Sequence, residues 1–270
     1  MNMSVEKKWH RWIAVAVALL MLVTLAVPVN VAKARASITS LQNPRTASDG
    51  MVTWDCVWFG HYPQSSDGKG GFNNDPIKWR VLSVDGNEAL LLADKNLDRG
   101  IPYNKVEEDV TWETCTMRSW LNGYGSNSNQ NGIDYTANNF MDRAFTANEK
   151  NAILQKTVEN ADNPKYGTEG GNNTSDKLFL PSIAEVTTPA YGFPSDSSEH
   201  ADSREAKNTA YTANKELMNK EGKTDSYWLR SPGLYSHWAA TVDDDGYVGN
   251  GYGGVDRTYE GCVRPALRLN

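Results

Sequence analysis

The sequence predicts an α+β domain behind an N-terminal export signal. Short runs rich in β-branched and aromatic residues lie near both ends of the chain, and helix-capping motifs lie between them. Strands at both ends with helices in the middle are typical of an α+β domain, because both kinds of element then share one core. We therefore expect the N- and C-terminal strands to meet in one sheet.

The composition is that of a globular protein. The chain has 270 residues, of which 39 % are hydrophobic and 22 % are charged, and its formal net charge is −6. The 9 Trp and 12 Tyr supply enough rings for a core and for a binding surface. Affinity for nucleic acid depends on Lys and Arg, so this acidic balance predicts no nucleic-acid partner.

The first 36 residues have the order of a secretory signal peptide. Basic residues precede an uncharged run over residues 13–27, and A-x-A cleavage sites then end at Ala34 or Ala36. The alternative is an uncleaved N-terminal anchor, but the run is shorter than the roughly twenty residues that span a bilayer. We expect a secreted or cell-surface protein that touches the membrane only if this segment is retained.

A linker and two strand regions follow the signal. Residues 37–50 are polar and aperiodic, which predicts a linker, so the folded domain is expected to span residues 51–270. Its first strand is predicted over residues 52–60. Two apolar runs, residues 77–84 and 88–94, flank an Asp-Gly pair, which is the strongest short-range signal for a β-hairpin.

Helices are predicted in the middle of the chain. Apolar residues at helical spacing indicate one helix over residues 111–121. Capping boxes, in which Ser or Thr is followed three residues later by Glu, open two more helices after Thr146 and Ser182. A further, more polar helical stretch is predicted over residues 202–220. Long surface loops rich in Asn, Gly and Ser are expected at residues 122–139 and 160–176.

The pattern returns to short strands near the C-terminus. Apolar pieces separated by Gly- and Asp-rich turns lie at residues 227–229, 239–242, 247–248 and 263–269. The three consecutive Asp residues 243–245 and the Gly that follows predict a hairpin turn between Val242 and Val248. A calcium loop is the alternative, but the ligand spacing and the distant Glu of an EF-hand are absent.

The chain has three cysteines, Cys56, Cys115 and Cys262. A bridge between Cys56 and Cys262 is possible if the terminal strands pair, whereas buried free thiols are the favoured interpretation. No Cys-x-x-Cys pair or Cys/His cluster occurs in the sequence, so we predict neither a metal site nor a cofactor.

Several motifs resemble those of a bacterial secreted family, domain of unknown function 6273 (DUF6273). They are FGHYPQ at residues 59–64, PIKWRVL at 76–82, RSWLN at 118–122, AFT at 144–146, YWLRSP at 227–232 and VRPAL at 263–267. Together they span the predicted domain in the family's order. Two positions depart from the pattern: Tyr227 stands where the family has Trp, and Cys262 stands where it has Gly.

The resemblance carries expectations about fold and function. The family is similar to the formylglycine-generating branch of the C-type lectin fold, which implies a single lectin-like domain with long loops. Some members are targets of diversity-generating retroelements, which mutate adenines in the C-terminal coding segment. The resemblance therefore implies a ligand surface near the C-terminus, but it names no substrate.

The segment 234–260 holds the candidate ligand-binding residues. It mixes rings with small polar residues on glycine-rich turns, a composition like that of antibody binding loops. The alternative is that these residues are ordinary polar turns. The candidates are Tyr235, Ser236, His237, Trp238, Asp243, Asp244, Tyr247, Asn250, Tyr252, Asp256, Arg257 and Tyr259.

We expect two arginines in apolar strand segments to have a structural role. Arg230 and Arg264 both lie close to a Pro, and we expect each to pair with a buried acid rather than to contact a ligand.

The sequence favours a secreted or surface-exposed module that binds a protein or glycan ligand. An enzyme related to formylglycine generation and a passive envelope component are the alternatives. The GxSxG, HExxH and phosphate-binding glycine motifs are absent, and the catalytic pair of cysteines that formylglycine-generating enzymes use is not evident. No residue is therefore predicted to be catalytic.

Overall fold

Antiparallel strands and short helices make up the described part of the chain. The computed structural model describes residues 38–215, 221–249, 254–259 and 261–270. Residues 42–270 form one compact unit, and residues 38–41 are the described end of a separate one. The predicted signal peptide and its cleavage sites lie outside the described residues.

The strands and helices of the compact unit are mostly short. The strands are β1 (Arg45–Thr46), β2 (Val52–Thr53), β3 (Cys56–Ser66), β4 (Phe72–Asp85), β5 (Glu88–Ala93), β6 (Lys156–Val158), β7 (Thr174–Asp176), β8 (Leu178–Phe179), β9 (Tyr227–Pro232), β10 (Ala239–Val242), β11 (Val248–Gly249) and β12 (Ala266–Leu269). The α-helices are α1 (Thr116–Asn122), α2 (Phe140–Ala144), α3 (Ala147–Ala152), α4 (Ile183–Val186) and α5 (Ala210–Asn214). Short 3-10 helices span Ser126–Ser128 and Pro189–Tyr191.

A large antiparallel sheet has the strand order β3-β4-β5-β12-β8. Its last strand, β12, pairs Ala266 with Leu92 of β5 on one side and with Phe179 of β8 on the other. The first long strand and the last strand thus lie in one sheet, with β4 and β5 between them.

The hairpin predicted around the Asp-Gly pair is confirmed. Asp85 pairs with Glu88, and Gly86 in the turn adopts a left-handed φ of 58°, which a residue without Cβ adopts at little cost. Strand β4 begins five residues earlier than predicted, at Phe72, because its first half continues to pair with β3 as far as Ser66.

The predicted linker and the structure differ at one point. Arg45 and Thr46 lie inside the predicted linker but form β1, which pairs with β2. The segment is fixed by side chains as well, since Arg45 forms an ion pair with Asp55 at 2.9 Å and Asn43 accepts the backbone N–H of Val84. Because these contacts are polar, the segment shows no hydrophobic periodicity, and the sequence alone gives no sign of β1.

Helix α1 begins at Thr116, five residues after the start of the helix predicted over residues 111–121. Thr111 accepts the backbone N–H groups of Thr114 and Cys115 in a separate turn, and α1 begins only at Thr116. The Cys115 thiol caps the helix by accepting the N–H of Arg118 at 3.4 Å. Helix α1 ends at Gly123, which adopts the left-handed conformation common after helix C-termini.

Both predicted capping boxes are confirmed, at Thr146 with Glu149 and at Ser182 with Glu185. The helix predicted over residues 202–220 forms only in part, since the helical segment in its described residues is α5, Ala210–Asn214. The residues before it are held by tertiary contacts, since Asn208 pairs with Asn96. Residues 216–220 lie outside the described part of the chain.

A small sheet with the order β11-β10-β9 carries the C-terminal segment. Val242 pairs with Val248 across the predicted turn, which is confirmed as a hairpin. Side chains of this sheet belong to a hydrophobic cluster of buried residues. The cluster consists of Ile183, Val186, Ala206, Tyr227, Leu229, Ala240, Val242, Val248 and Cys262. The predicted strand over 263–269 is shorter in the structure, where it begins at Ala266 after Pro265.

The buried arginines Arg230 and Arg264 have different kinds of partner in the structure. Arg230 pairs with Glu185 at 2.5 Å, so its predicted acid partner is confirmed. The expectation for Arg264 is wrong: its buried guanidinium donates to the carbonyl oxygens of Ala93 and Arg204, and it lies 4.8 Å from the ring centroid of Tyr227. Burial lowers the pKa of Arg264 to about 10.

All three cysteines are free thiols. Cys56 is half-buried, whereas Cys115 and Cys262 are buried. Burial raises the pKa of the Cys115 thiol to about 12, and burial also raises the pKa of Cys56. The thiolate is the reactive form, so Cys115 is inert at neutral pH.

Thiol titration is expected to separate these environments. In the native protein without reductant, a disulfide-exchange reagent should label Cys56 alone, and faster as the pH rises towards its raised pKa. The denatured protein should show three reactive thiols. A count of one in the denatured, unreduced protein would show instead that two of the three cysteines are bonded, and labelling of Cys115 as the remaining thiol would identify the pair as Cys56 and Cys262.

Candidate functional site

A fixed loop between β9 and β10 carries four of the predicted binding residues. Gly233 donates its N–H to the carbonyl oxygen of Trp238 at 2.7 Å, and Trp238 donates its own to Tyr235 at 3.0 Å. The loop also bonds to distant segments, since Val110 donates to the carbonyl oxygen of Ser236 at 3.0 Å. The backbone that presents these side chains is therefore held by hydrogen bonds within the loop and by a hydrogen bond from a distant segment.

Three rings on this loop form a cluster that we call the aromatic platform, consisting of Tyr235, His237 and Trp238. The rings of Tyr235 and His237 are parallel within 2°, with centroids 5.6 Å apart. Trp238 meets Tyr235 edge-on, with centroids 4.9 Å apart. Tyr235 is 51 % exposed, so the stacked pair lies at the protein surface.

An acidic segment, residues 107–109, lies beside the aromatic platform. Asp109 accepts the hydroxyl of Ser236 at 2.5 Å, and its carboxylate lies 3.8 Å from Nδ1 of His237. Hydrogen bonds from Gln130 and Asn131 lower the pKa of Glu108. The sequence gives no signal for this contact, because Asp109 precedes Ser236 by 127 residues.

Asp256 joins the same end of the small sheet. Trp238 forms a β-bridge with Gly254, and a Cβ on Gly254 would lie 2.9 Å from carboxylate atoms of both Asp256 and Glu107. Only glycine therefore fits between the two acids without displacing them. No donor in the described part of the chain reaches the buried Oδ1 of Asp256.

The β10–β11 hairpin tip holds another group of predicted residues, Asp243, Asp244 and Tyr247. Asp243 accepts the hydroxyl of Thr241 at 2.9 Å, and Asp244 is exposed. Along the chain, the hairpin tip comes directly after β10, whereas the aromatic platform comes directly before β10. At about 3.3 Å per residue, the four residues of β10 separate the two groups by about 13 Å.

His200 from a distant loop packs against this tip. Its ring lies 5.5 Å from that of Tyr247, and its Nδ1 lies 2.7 Å from the carboxylate of Asp245. Partial burial acts to raise the pKa of Asp245, but the N–H of Tyr247 and the His200 ring outweigh it and the pKa is lowered. Gly246 closes the turn with φ 80°, where a Cβ would lie 2.1 Å from the carbonyl oxygen of Ala201.

Among the remaining predicted residues, Arg257 and Tyr259 contact each other. Arg257 donates to the hydroxyl of Tyr259 at 3.1 Å, and Tyr259 is 61 % exposed. Asn250 and Tyr252 lie outside the described residues. The structure thus brings together Tyr235, Ser236, His237, Trp238 and Asp256, and it places the hairpin tip elsewhere.

The groups gathered in this region are suited to ring stacking and hydrogen bonding. Within residues 38–215, 221–249, 254–259 and 261–270, no three His, Cys, Asp or Glu side chains gather as ligands for a metal ion. The platform offers ring faces together with hydroxyl and carboxylate groups, which can stack on a ligand and hydrogen-bond to it. The helices of the described residues are all too short or too polar to cross a lipid bilayer.

Comparison with known proteins assigns the family. The model of the family named Domain of unknown function (DUF6273) matches residues 87–270. No curated protein and no solved structure matches the chain. The match begins in the turn between β4 and β5, so the motifs at 59–64 and 76–82 lie upstream of it. Because the match covers more than half of the chain, the protein belongs to the DUF6273 family.

Proposed function

We propose that this protein is an extracellular ligand-binding module that recognises a protein or glycan through the aromatic platform. The observation that carries the proposal is the parallel stack of Tyr235 and His237 on a loop whose backbone is bonded to its surroundings. Exposed rings on a fixed backbone favour binding, because little conformational entropy is lost when a ligand orders them.

The polar groups beside the rings support the same proposal. Ser236 and Asp109 place a hydroxyl and a carboxylate next to the stacked pair, and Asp256 adds a carboxylate on the neighbouring strand segment. A ring face flanked by a few fixed hydrogen-bonding groups is the usual composition of a specific binding surface.

The proposal extends to fold and location. We propose a C-type-lectin-like fold of the formylglycine-generating type, supported by β3 and β12 sharing one sheet and by the long loops between elements. Export is supported by the sequence of residues 1–36. Diversification of the C-terminal segment is part of the same proposal. A nearby reverse transcriptase gene with an imperfect repeat of that coding segment would support it.

An enzyme related to formylglycine generation is less favoured. Such chemistry needs reactive thiols, whereas burial raises the pKa of Cys115 to about 12 and Cys262 is buried.

The platform is tested by removing its exposed rings. A Tyr235→Ala/His237→Ala variant is expected to lose at least about tenfold in affinity for a ligand found by glycan array or by pull-down from host surface extract. Its free energy of unfolding should stay within about 0.5 kcal/mol per substitution, because both rings are on the surface. Trp58→Ala, which removes an exposed ring on β3 of the large sheet, is the control.

Two outcomes would contradict this proposal. Unchanged affinity in the double variant would place the ligand elsewhere. A loss of several kcal/mol of stability would show that the rings belong to the core. A protein that binds nothing in either screen would favour the passive envelope component.

A further inference from the structure

A groove with a volume of about 750 Å³ lies between the β1–β2 hairpin and residues 189–203. We call it the acidic groove. Trp54 and Phe193 line it, with ring centroids 6.1 Å apart, and Trp54 donates its indole N–H to the carbonyl oxygen of Tyr191 at 2.9 Å. Gly192, with φ 86°, lies so close to Val52 that a Cβ would meet it at 2.6 Å. The aromatic part of the lining is therefore fixed.

Apart from His200, the titratable side chains that line the acidic groove are carboxylic acids. Asp49 on one side and Glu199 and Asp202 on the other line it, and its lining residues, all of them described, include no Lys or Arg. The Arg80 guanidinium lies 4.8 Å from the Trp54 ring centroid, but its charge is paired with Asp94 at 2.8 Å. Lys78 shares Asp94 with Arg80, and the buried Arg204 guanidinium donates to the carbonyl oxygens of Glu199 and Pro194 in the lining, so these cations weaken the negative field of the groove. The exposed charged side chains that line it are nevertheless the carboxylates of Asp49, Glu199 and Asp202.

Further acids extend this field beyond the groove. Burial raises the pKa of Glu205, and the negative charges of Asp202, Asp245 and Asp244 raise it further. His200 lines the groove and contacts Asp245, so the hairpin tip borders the groove. The groove is thus at the opposite end of β10 from the aromatic platform.

We propose that the acidic groove binds a peptide segment of a partner protein that carries both Lys or Arg and apolar side chains. Carboxylates on both sides attract the basic side chains, while the partly exposed ring of Trp54, which packs on the buried Phe193, offers apolar surface to their neighbours. Met51, which is 65 % exposed at the edge, can adapt to different apolar side chains. The volume lies within the range of about 300–1,000 Å³ that ligand sites occupy.

This site is independent of the proposed platform. It gives a role to the hairpin tip that the platform leaves unused, since Asp244 and Asp245 strengthen the field that draws a cation in. The same field repels nucleic acid and anionic lipid, which leaves a basic protein segment as the favoured occupant.

Calorimetry with the full chain tests the proposal. The probe is a nine-residue peptide of the repeat Lys-Leu-Gly, compared with the same peptide acetylated on every lysine and with spermidine. We expect the lysine peptide to bind, more weakly as salt is raised, and the acetylated peptide to bind at least tenfold more weakly. Spermidine should also bind more weakly, since it has no side chains for the aromatic surface.

Variants locate the binding. Asp49→Asn, Glu199→Gln and Asp202→Asn should each weaken binding about two- to five-fold, as expected for exposed charge pairs. Glu169→Gln removes the same charge from an exposed position in the loop that contacts Leu234 beside the aromatic platform, and it should change nothing. Tyr235→Ala should also bind normally, which separates this site from the aromatic platform.

Four results would overturn the proposal. They are undetectable binding of the lysine peptide at millimolar concentration, equal binding of the acetylated peptide, equal binding of spermidine, and unchanged affinity in all three groove variants.

Discussion

Deleting residues 263–270 is expected to unfold the whole domain, because β12 lies inside the large sheet. The strand pairs with β5 over four residues and with β8 over two, so its loss opens both neighbours. Val263, Leu267 and Leu269 are buried, and burying such a side chain contributes about 1.5–3 kcal/mol. Their combined loss approaches the total stability of an ordinary domain, about 5–15 kcal/mol.

Circular dichroism during heating checks this result. The truncated protein should lose its cooperative transition, whereas deletion of the exposed Asn270 alone should leave the melting temperature unchanged. If the protein without residues 263–270 melts as the intact chain does, the closed large sheet is not what holds the domain together.

Asp176→Ala is expected to cost about 3–5 kcal/mol of stability, because it leaves a largely buried cation without its partner. The Asp176 carboxylate is buried and pairs with Arg118 at 2.8 Å. It also accepts the indole N–H of Trp112 at 3.1 Å and the hydroxyl groups of Tyr124 and Thr174. One side chain thus joins β7 to α1 and to the segments on either side of that helix.

Urea denaturation of three proteins isolates the charge. Asp176→Asn keeps the shape and one oxygen acceptor, so it should fall between the intact protein and Asp176→Ala in free energy of unfolding. Equal stability of all three proteins would show that Arg118 is adequately served by its other acceptor, the carbonyl oxygen of Glu113.

Local signals in the sequence predict local structure well. The Asp-Gly turn after β4 and the capping boxes at Thr146 and Ser182 depend on residues within four positions of each other, and all three form as predicted. The helix predicted over 202–220 forms only in part, because its beginning is held by contacts such as that between Asn96 and Asn208, 112 residues apart.

The same limit applies to the candidate sites. The composition of residues 235–238 pointed to a display of rings, and the structure places those rings together. The partner acid Asp109 has no sequence signal, because only folding brings it to Ser236. The acidic groove was missed for a similar reason: one of its sides lies partly in residues 37–50, which read as a linker.

The position of β5 inside the large sheet determines whether its backbone could pair with other copies of the chain. The family match starts at the turn before this strand, yet β4 covers the side of β5 that faces away from β12. Without β4, the unpaired N–H and C=O groups of a buried, leucine-rich strand would be open to other copies, and such an edge templates aggregation. The strands upstream of the match thus keep the centre of the large sheet out of reach of other chains.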